Sequence, residues 1–455
     1  MKKSAIEQAV EAPAELLEKT IETSESFGRK IKKSKFFSKP QKYWNTLGPG
    51  LTTGAADDDP SGIATYSQSG AQYGFSLLWL AAFTFPFMAA IQEMCARIGL
   101  VTGRGLASNI RTHFPKKVLY ISTLLLFAAN TFNIGADLGV MAKTLQLLNP
   151  GLNYVFLIIG VTVLLIGFQI FIPYKRYAKY LKWLSLVLFA YVASALLANL
   201  DWGNVLSHFV IPSITFEKDQ LLLICAILGT TISPYLFFWQ TSQEVENEIS
   251  QGLTTIFQRR GTNKKEIHNM RTDVWSGMFF SNLVMFFIIA ACGAILFPHG
   301  ITNITSAAQA AEALRPFAGD WTYFLFTIGI LGTGMLAIPV LAGSSSYAIA
   351  ESFKWHEGLS KKLKGAYAFY GIIIISMIVG LCINFIGINP IKVLIYSAVA
   401  NGVVAPLVLI PIVIISSNKK VMGEWVNKPI TKVVGWIVVA VMSVAGIAAI
   451  ISLFL

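Results

Sequence analysis

Three consecutive aspartates, Asp57, Asp58 and Asp59, stand in the stretch "AADDDPSG", which lies inside an otherwise apolar segment. A charged side chain at the centre of a bilayer costs about 3 kcal/mol or more on insertion scales, so acids in such a segment indicate a functional site. Carboxylates are hard oxygen ligands, which suit Mg²⁺, Ca²⁺ and Mn²⁺. We therefore predict that a divalent cation compensates the charge of these aspartates.

A second apolar segment is interrupted in the same way, in the stretch "LGTTISPYLFFWQ". Pro234, like Pro60, removes a backbone donor and disturbs the preceding helical turn, and nearby glycines add backbone freedom. We predict that both helices break there. The polar side chains of the second break are all hydroxyls: Thr230, Thr231, Ser233 and Tyr235. Neither break has a histidine near it, so the donors favour Mg²⁺ and leave Mn²⁺ open.

The elements that must position these residues are membrane-spanning helices. Of the 455 residues, 54% are hydrophobic and 13% are charged, and the mean hydropathy of +0.60 is typical of a polytopic membrane protein. Eleven apolar segments are long enough to span: 46–70, 74–101, 117–146, 153–173, 179–199, 219–245, 272–297, 320–348, 366–388, 391–416 and 431–454. The breaks fall in the first and the sixth, and paired breaks in two halves indicate a transporter of inverted repeats, here roughly 46–199 and 219–416.

The net charge of +12 is distributed as expected for a membrane protein. Residues 29–42 hold seven bases and no acid, and further bases cluster in alternate loops. This positive-inside pattern places the N-terminus and its polar tail, residues 1–42, in the cytoplasm, and eleven spans then place the C-terminus outside. Anionic lipid accounts for the basic segments, so we expect no nucleic-acid partner. The absence of an apolar leader and the compact loops indicate a bacterial inner membrane.

Other chemistries are poorly supported by the sequence. The four cysteines are scattered through apolar segments and form no C-x-x-C pair, so neither a disulfide framework nor a zinc site is expected. We find no nucleophile–histidine–acid set and no phosphate loop in the sequence, so we do not predict an enzyme. We expect no cofactor and a monomeric chain in the bilayer, with a divalent metal ion as the transported substrate.

Motifs at both breaks resemble those of the Nramp family of divalent-metal transporters. The stretch "LGPGLTTGAADDDPSGIATYSQSGAQYGFSLLW" is similar to the family's first span, which carries A-x-x-D-P-G-N. "ILGTTISPY" stands where the family has Met-Pro-His, and "QEMCARIGLVTGRGLA" resembles its second span. The resemblance covers roughly residues 44–455. It implies an all-α fold of the leucine-transporter type, five spans plus five inverted ones, with broken helices 1 and 6 and an eleventh span at 431–454.

The resemblance also implies metal ligands by motif position. Asp59 takes the place of the metal-binding aspartate, with Asp58 close by or acting through water, and Gly62 replaces an asparagine. Ala56 and Thr230 would supply backbone carbonyls from the two breaks. Ser233 replaces the family's metal-binding methionine. The double aspartate and the lost methionine resemble the Nramp-related magnesium transporters more than the iron and manganese importers.

Further polar residues are candidates for the ion path or for a second shell around the ion. Tyr235 replaces the histidine of the sixth span. On the third span, Asp137 falls on the family's glutamate, whereas Ile134 falls on its aspartate, which puts the family's proton pathway in doubt. Asn133 and Asp137 are four residues apart and therefore share a helical face. The remaining candidates are Asp57, Gln240 and Asn401, the last at a position where the family often has an amide.

These observations predict a transporter that imports Mg²⁺ by alternating access. They leave open whether it also imports Mn²⁺. A roomy site with small residues suits an ion that keeps part of its water shell. A tyrosine, with an ordinary pKa of about 10, shuttles protons poorly at pH 7, so we predict no proton coupling. Three alternatives remain: a proton-coupled Mn²⁺/Fe²⁺ transporter, a sodium-coupled transporter of an organic solute, and a non-transporting ion sensor.

Overall fold

The computed structural model describes residues 41, 43–197, 200–215, 217–304, 307–386 and 390–454. The predicted N-terminal tail, apart from Gln41, lies outside these residues. The chain divides into two units, Met1–Leu47 and Gly48–Leu455. All the elements below belong to the second unit, and those in the described ranges are helical.

Eighteen α-helices are numbered in chain order: α1 Pro49–Asp57, α2 Pro60–Tyr73, α3 Trp79–Thr102, α4 Leu106–His113, α5 Lys116–Leu148, α6 Tyr154–Phe171, α7 Tyr174–Leu184, α8 Phe189–Leu196, α9 Trp202–Val210, α10 Lys218–Thr231, α11 Pro234–Ser250, α12 Ile256–Arg259, α13 Lys264–Ile295, α14 Ala307–Phe353, α15 Tyr367–Ile383, α16 Pro390–Ser416, α17 Lys419–Met422 and α18 Pro429–Phe454. Short 3₁₀ turns occur at Ser185–Leu188, Leu363–Gly365 and Gly423–Trp425. Helix α14 is interrupted by non-helical backbone at Gly319.

Each of the eleven apolar segments contains helix within its described residues. Within the described ranges, nine helical stretches are long and apolar enough to cross a membrane. The other two predicted spans are the first, divided into α1 and α2, and the ninth, α15, which has 17 residues. The seventh span begins at Lys264 rather than at the predicted residue 272. Asn263 caps it there, because its side chain accepts hydrogen bonds from Lys265 N and Glu266 N and so extends the helix through a polar segment.

Helix α13 packs along both halves of the broken first span through a seam of glycines. A Cβ atom at Gly50 would lie 2.5 Å from the backbone nitrogen of Val274, and one at Gly54 would collide with the carbonyl of Gly277. Backbone therefore lies directly against backbone. Small residues at this spacing are what lets membrane helices approach closely.

The centre of the bundle is assembled from both halves of the chain. Helix α5 packs against α14, α15 and α16, and α10 packs against α16 and α2. Side chains from these helices bury both breaks completely: Asp59 and Ser233 each have 0% of their surface exposed. The fold thus places the two interruptions inside the protein rather than against lipid, as non-helical backbone within a membrane requires.

Candidate metal site

The first break is made by two aspartates and a proline. Helix α1 ends at Asp57, and Asp58 follows it with φ −83° and ψ 52°. Asp59 is extended, because the proline that follows it disfavours helical backbone. Its Oδ1 accepts hydrogen bonds from the backbone of Gly62 at 2.6 Å and from the hydroxyl of Ser61 at 2.7 Å. Asp59 therefore starts helix α2 as its N-cap residue.

The second break repeats this geometry with a serine. Helix α10 ends at Thr231, and Ser233 is extended and precedes Pro234, the first residue of α11. The Ser233 hydroxyl does not cap α11. It turns back and donates to the carbonyls of Gly229 and Thr230, at 2.7 and 2.6 Å. The carbonyl that Thr230 was predicted to offer to the ion thus already accepts a hydroxyl in this conformation.

The two breaks are in direct contact. The Tyr235 hydroxyl donates to the Ala56 carbonyl at 3.0 Å, and the hydroxyls of Tyr66 and Thr231 are 3.2 Å apart. A Cβ atom at Gly62 would lie 3.1 Å from Thr230 Oγ1. The structure thus brings together, from both breaks, six residues that the sequence singled out: Ala56, Asp59, Gly62, Thr230, Ser233 and Tyr235.

The three aspartates point to different helices. Asp57 Oδ2 accepts a hydrogen bond from the Ser281 hydroxyl of α13 at 2.7 Å. Asp59 Oδ2 accepts one from the Asn133 amide of α5, also at 2.7 Å. Neither oxygen of Asp58 has a partner among the described residues. Because the carboxylates diverge, no three His, Cys, Asp or Glu side chains in the described ranges form a ready metal cluster, so carbonyls, hydroxyls or water would have to complete a coordination shell.

The third span contributes both of its predicted residues to this region. Asn133 contacts Asp59 directly, and Asp137, one turn further along α5, lies within electrostatic range of Asp59. Asp137 is fully buried, and neither of its oxygens has a hydrogen-bond partner among the described residues. Together with Asp58 it leaves four buried carboxylate oxygens unsatisfied, an expensive arrangement without a cation or a proton. Hard oxygen donors of this kind fit a divalent ion.

Two predicted residues make no described contact with the aspartates. Gln240 lies on α11, and its amide donates to Glu244 of the same helix at 2.8 Å. Asn401 lies on α16, buried, with its side-chain oxygen unsatisfied among the described residues. Its neighbour Gly402 packs near Gly229 of the second break. Their assignment to the ion path stays a prediction.

Two residues of α13 were missed by the sequence analysis. Ser281 fixes Asp57. Asp273 accepts backbone hydrogen bonds from Gly48, Gly50 and Leu51, at 2.7, 2.7 and 3.0 Å, and so caps the beginning of α1. Its only signal in the sequence was an acid close to the basic stretch 259–271.

Comparison with known proteins identifies the family of the chain. Residues 50–452 match the family described as natural resistance-associated macrophage protein-like, or Nramp. The chain belongs to the Nramp family. Its relatives include two proteins named divalent metal cation transporter MntH. The one from Klebsiella pneumoniae is 25% identical over 409 residues, 87% of this chain and 91% of that protein. The one from Caldanaerobacter subterraneus is 26% identical over 408 residues, 88% and 90% of the two chains.

Solved structures of two transporters share the fold. A manganese transporter from Eremococcus coleocola superposes with a TM-score of 0.69 and 18% identity, covering 91% of this chain and 87% of that one. Mhp1, a nucleobase-cation-symport-1 family transporter, gives a TM-score of 0.56 and 15% identity over 89% and 91%. The predicted leucine-transporter-type fold with broken helices 1 and 6 is therefore confirmed for this Nramp chain.

Proposed function

We propose that this Nramp protein imports Mg²⁺, with Mn²⁺ as a second substrate, by alternating access. The chain is a multi-pass membrane transporter and not an enzyme, and its relatives are named for divalent metal cations. The metal is accordingly its cargo. We place it between the two breaks, held by Asp59 and Asp58, with the membrane of a bacterial cell oriented so that the basic loops face the cytoplasm.

The observation that carries the choice of Mg²⁺ is the donor set at the second break. By the motif resemblance, Ser233 and Tyr235 stand where Nramp proteins have methionine and histidine, so that hydroxyls replace soft sulfur and imidazole ligands. The side chains that converge on the aspartates likewise offer oxygen or amide groups. A site made of oxygen and amide groups has no preference for the later transition metals, but it can still bind a hard ion.

A partly hydrated ion suits the geometry at Asp59. Both of its oxygens already accept hydrogen bonds, from Gly62 and Ser61 on one side and from Asn133 on the other. An ion that keeps several waters interacts with such a carboxylate through those waters without breaking its contacts. Asp58, whose oxygens are unsatisfied among the described residues, is positioned to supply a direct charge.

Uptake requires no proton in this proposal. A divalent cation gains about 4.6 kcal/mol per 100 mV of membrane potential, from about 2.3 kcal/mol per charge. This corresponds to an accumulation of more than about a thousandfold at equilibrium. At the position of the family's histidine, the Tyr235 hydroxyl is engaged with the carbonyl of Ala56. The voltage alone therefore suffices as a driving force.

The test is ion flux into proteoliposomes, followed with Mg²⁺ and Mn²⁺ indicators inside and a pH dye. Wild type is compared with Asp59→Asn and with Asp219→Asn, which changes an exposed aspartate at the start of α10 in the same way. We expect saturable, voltage-driven Mg²⁺ influx without acidification, lost in Asp59→Asn and kept in Asp219→Asn. Proton influx that scales with Mg²⁺ uptake would contradict the uncoupled mechanism, and Mn²⁺ flux without Mg²⁺ flux would contradict the substrate.

One observation favours a second candidate, a proton-coupled Mn²⁺ transporter. Asp137 is a buried acid beside the site with no hydrogen-bond partner among the described residues, so it is placed to take up a proton. In that case Mn²⁺ influx acidifies the vesicle lumen. Asp137→Asn then abolishes the acidification while metal flux continues. The pH dye in the same experiment distinguishes the two candidates.

A further inference from the structure

A second cavity lies away from the helix breaks, at the end of the bundle that carries the basic loops. Its volume is about 930 Å³, and its walls come from the loop between α3 and α4, the start of α5, helix α11, and the end of α14 with the loop that follows. None of its lining residues belongs to the candidate metal site. Six cationic side chains line it: Arg104, Arg111, Lys116, Arg259, Lys354 and Lys361. We call it the basic cavity.

Three glutamates also line the basic cavity, so its six cationic side chains outnumber its acidic ones two to one. Glu351 accepts hydrogen bonds from the Ser108 backbone at 2.8 Å, in the first turn of α4, and from the Ser242 hydroxyl at 3.1 Å. Glu246 accepts from the Tyr347 hydroxyl at 2.7 Å and from the Ser360 backbone at 3.1 Å. Burial raises the pKa of the Glu357 carboxyl, in the loop after α14, to about 9, so that it is protonated at pH 7.

Three of the cations lie within electrostatic range of these glutamates: Arg111, Arg259 and Lys361. Arg111 donates to the backbone carbonyl of Glu351, and Arg259 donates to those of Gly103 and Leu253, so both guanidinium groups are held in place by neutral acceptors. The side chains of the other four make no hydrogen bond or ion pair with any described residue. Lys116 is moreover the first residue of α5, a helix of 33 residues without a side-chain cap, whose free N–H groups add partial positive charge.

An aromatic wall completes the basic cavity. The rings of Tyr120 and Phe353 have centroids 5.5 Å apart, and Phe353 stacks on Trp355 at 5.0 Å with an interplanar angle of 20°. All three line the cavity and are exposed. The cavity thus joins a cluster of cations to a flat apolar surface.

We propose that the basic cavity binds a phosphate-bearing anion, supplied by a lipid headgroup or by a free nucleotide. Arg and Lys side chains with helix N-termini are the usual partners of phosphate, and basic pockets between membrane helices bind anionic headgroups. The aromatic wall suits an acyl chain or a nucleobase equally. The volume lies within the usual range for small-ligand sites, about 300–1,000 Å³.

The experiment uses the full-length protein in nanodiscs of neutral phosphatidylcholine with a chelator present. Two sets of probes are titrated at constant ionic strength: ATP and pyrophosphate from solution, and phosphatidylglycerol added to the disc. The test variant is Lys116→Gln/Lys354→Gln/Lys361→Gln. The matched control, Lys419→Gln/Lys420→Gln/Lys428→Gln, removes three exposed lysines from α17 and its neighbourhood, outside the cavity.

We expect saturable binding of at least one probe, weakened at least about tenfold in the test variant and less than about twofold in the control, in line with the contribution of each lysine to anion binding. If pyrophosphate competes with bound ATP, the ligand is a free phosphate compound. If phosphatidylglycerol is the one probe that binds, the ligand is a lipid headgroup. Equal losses in both variants would show unspecific attraction and overturn the proposal. So would the absence of binding by any probe to folded wild-type protein.

Discussion

The carboxylate of Asp273 lies 2.7 Å from the backbone nitrogen of Gly50, and this contact ties the seventh span to the beginning of the first. Two more backbone N–H groups, of Gly48 and Leu51, donate to the same carboxylate. A single side chain thus satisfies three of the donors that the N-terminus of α1 would otherwise leave free. Asp273 thus anchors the start of the half-helix that leads directly to the three aspartates.

We predict that Asp273→Asn loosens α1. The amide keeps one acceptor oxygen but turns a donor towards backbone donors, so we expect a loss of about 1–3 kcal/mol of stability. A cysteine introduced at Thr52, in a Cys382→Ser background, should react faster with an impermeant thiol reagent in this variant. Asp219→Asn, an exposed position, is the control. Unchanged reactivity would show that other contacts hold the half-helix.

We predict that a side chain at Gly62 disturbs the space between the breaks, although Gly62 lies in an ordinary helix. A methyl group there would lie 3.1 Å from Thr230 Oγ1 and 3.3 Å from Asp59 Oδ1, so it would narrow the space between the breaks. We expect Gly62→Ala to reduce Mg²⁺ flux about tenfold or more, as small misplacements at a site do. Gly160→Ala, where a methyl group would meet nothing within 4 Å, should leave flux unchanged and stabilise helix α6 by about 0.5–1 kcal/mol. Equal flux in both variants would argue against a site between the breaks.

Metal selectivity should respond to one sulfur atom. Ser233→Met restores a thioether at the second break, and we expect competition by Cd²⁺ and Mn²⁺ against Mg²⁺ to strengthen at least about tenfold. Leu236→Met is the control, because it adds a buried thioether one turn away at nearly constant volume. The readout is the concentration of each metal that halves Mg²⁺ uptake. Equal effects of both substitutions would mean that position 233 does not face the ion.

The stability of the end of the bundle that holds the basic cavity should depend on pH through Glu357. Its folded pKa, about 9, is above the ordinary value of 4.5, so between these values the folded state binds more protons than the unfolded state. The contribution of this proton to stability is fully present below about pH 4.5, and it is lost progressively as the pH rises towards 9. We expect the Tm of wild type to fall between pH 6 and 9, and the slope to flatten in Glu357→Gln. Glu424→Gln, an exposed acid in another loop, should keep the wild-type slope.

The breaks could be predicted from sequence because their causes are local. Pro60 and Pro234 each remove a donor and exclude helical backbone just before them, whatever the rest of the chain does. The partners of the aspartates could not be predicted in this way. Ser281 meets Asp57 across 224 residues and Asn133 meets Asp59 across 74, contacts that depend on how whole helices pack. The face shared by Asn133 and Asp137 was predictable, but which of the two touches Asp59 was not.

The glycine seam between α1 and α13 also has a mechanical meaning. Gly50, Gly54 and Gly277 put backbone against backbone, so at these three positions no side chain has to move when one helix turns against the other. Such a contact lets the two helices rotate against each other but resists their separation. Rotation of α1 against α13 is then opposed by the few hydrogen bonds at the edge of this contact. Those that the Asp273 carboxylate accepts hold the two helices in the present arrangement.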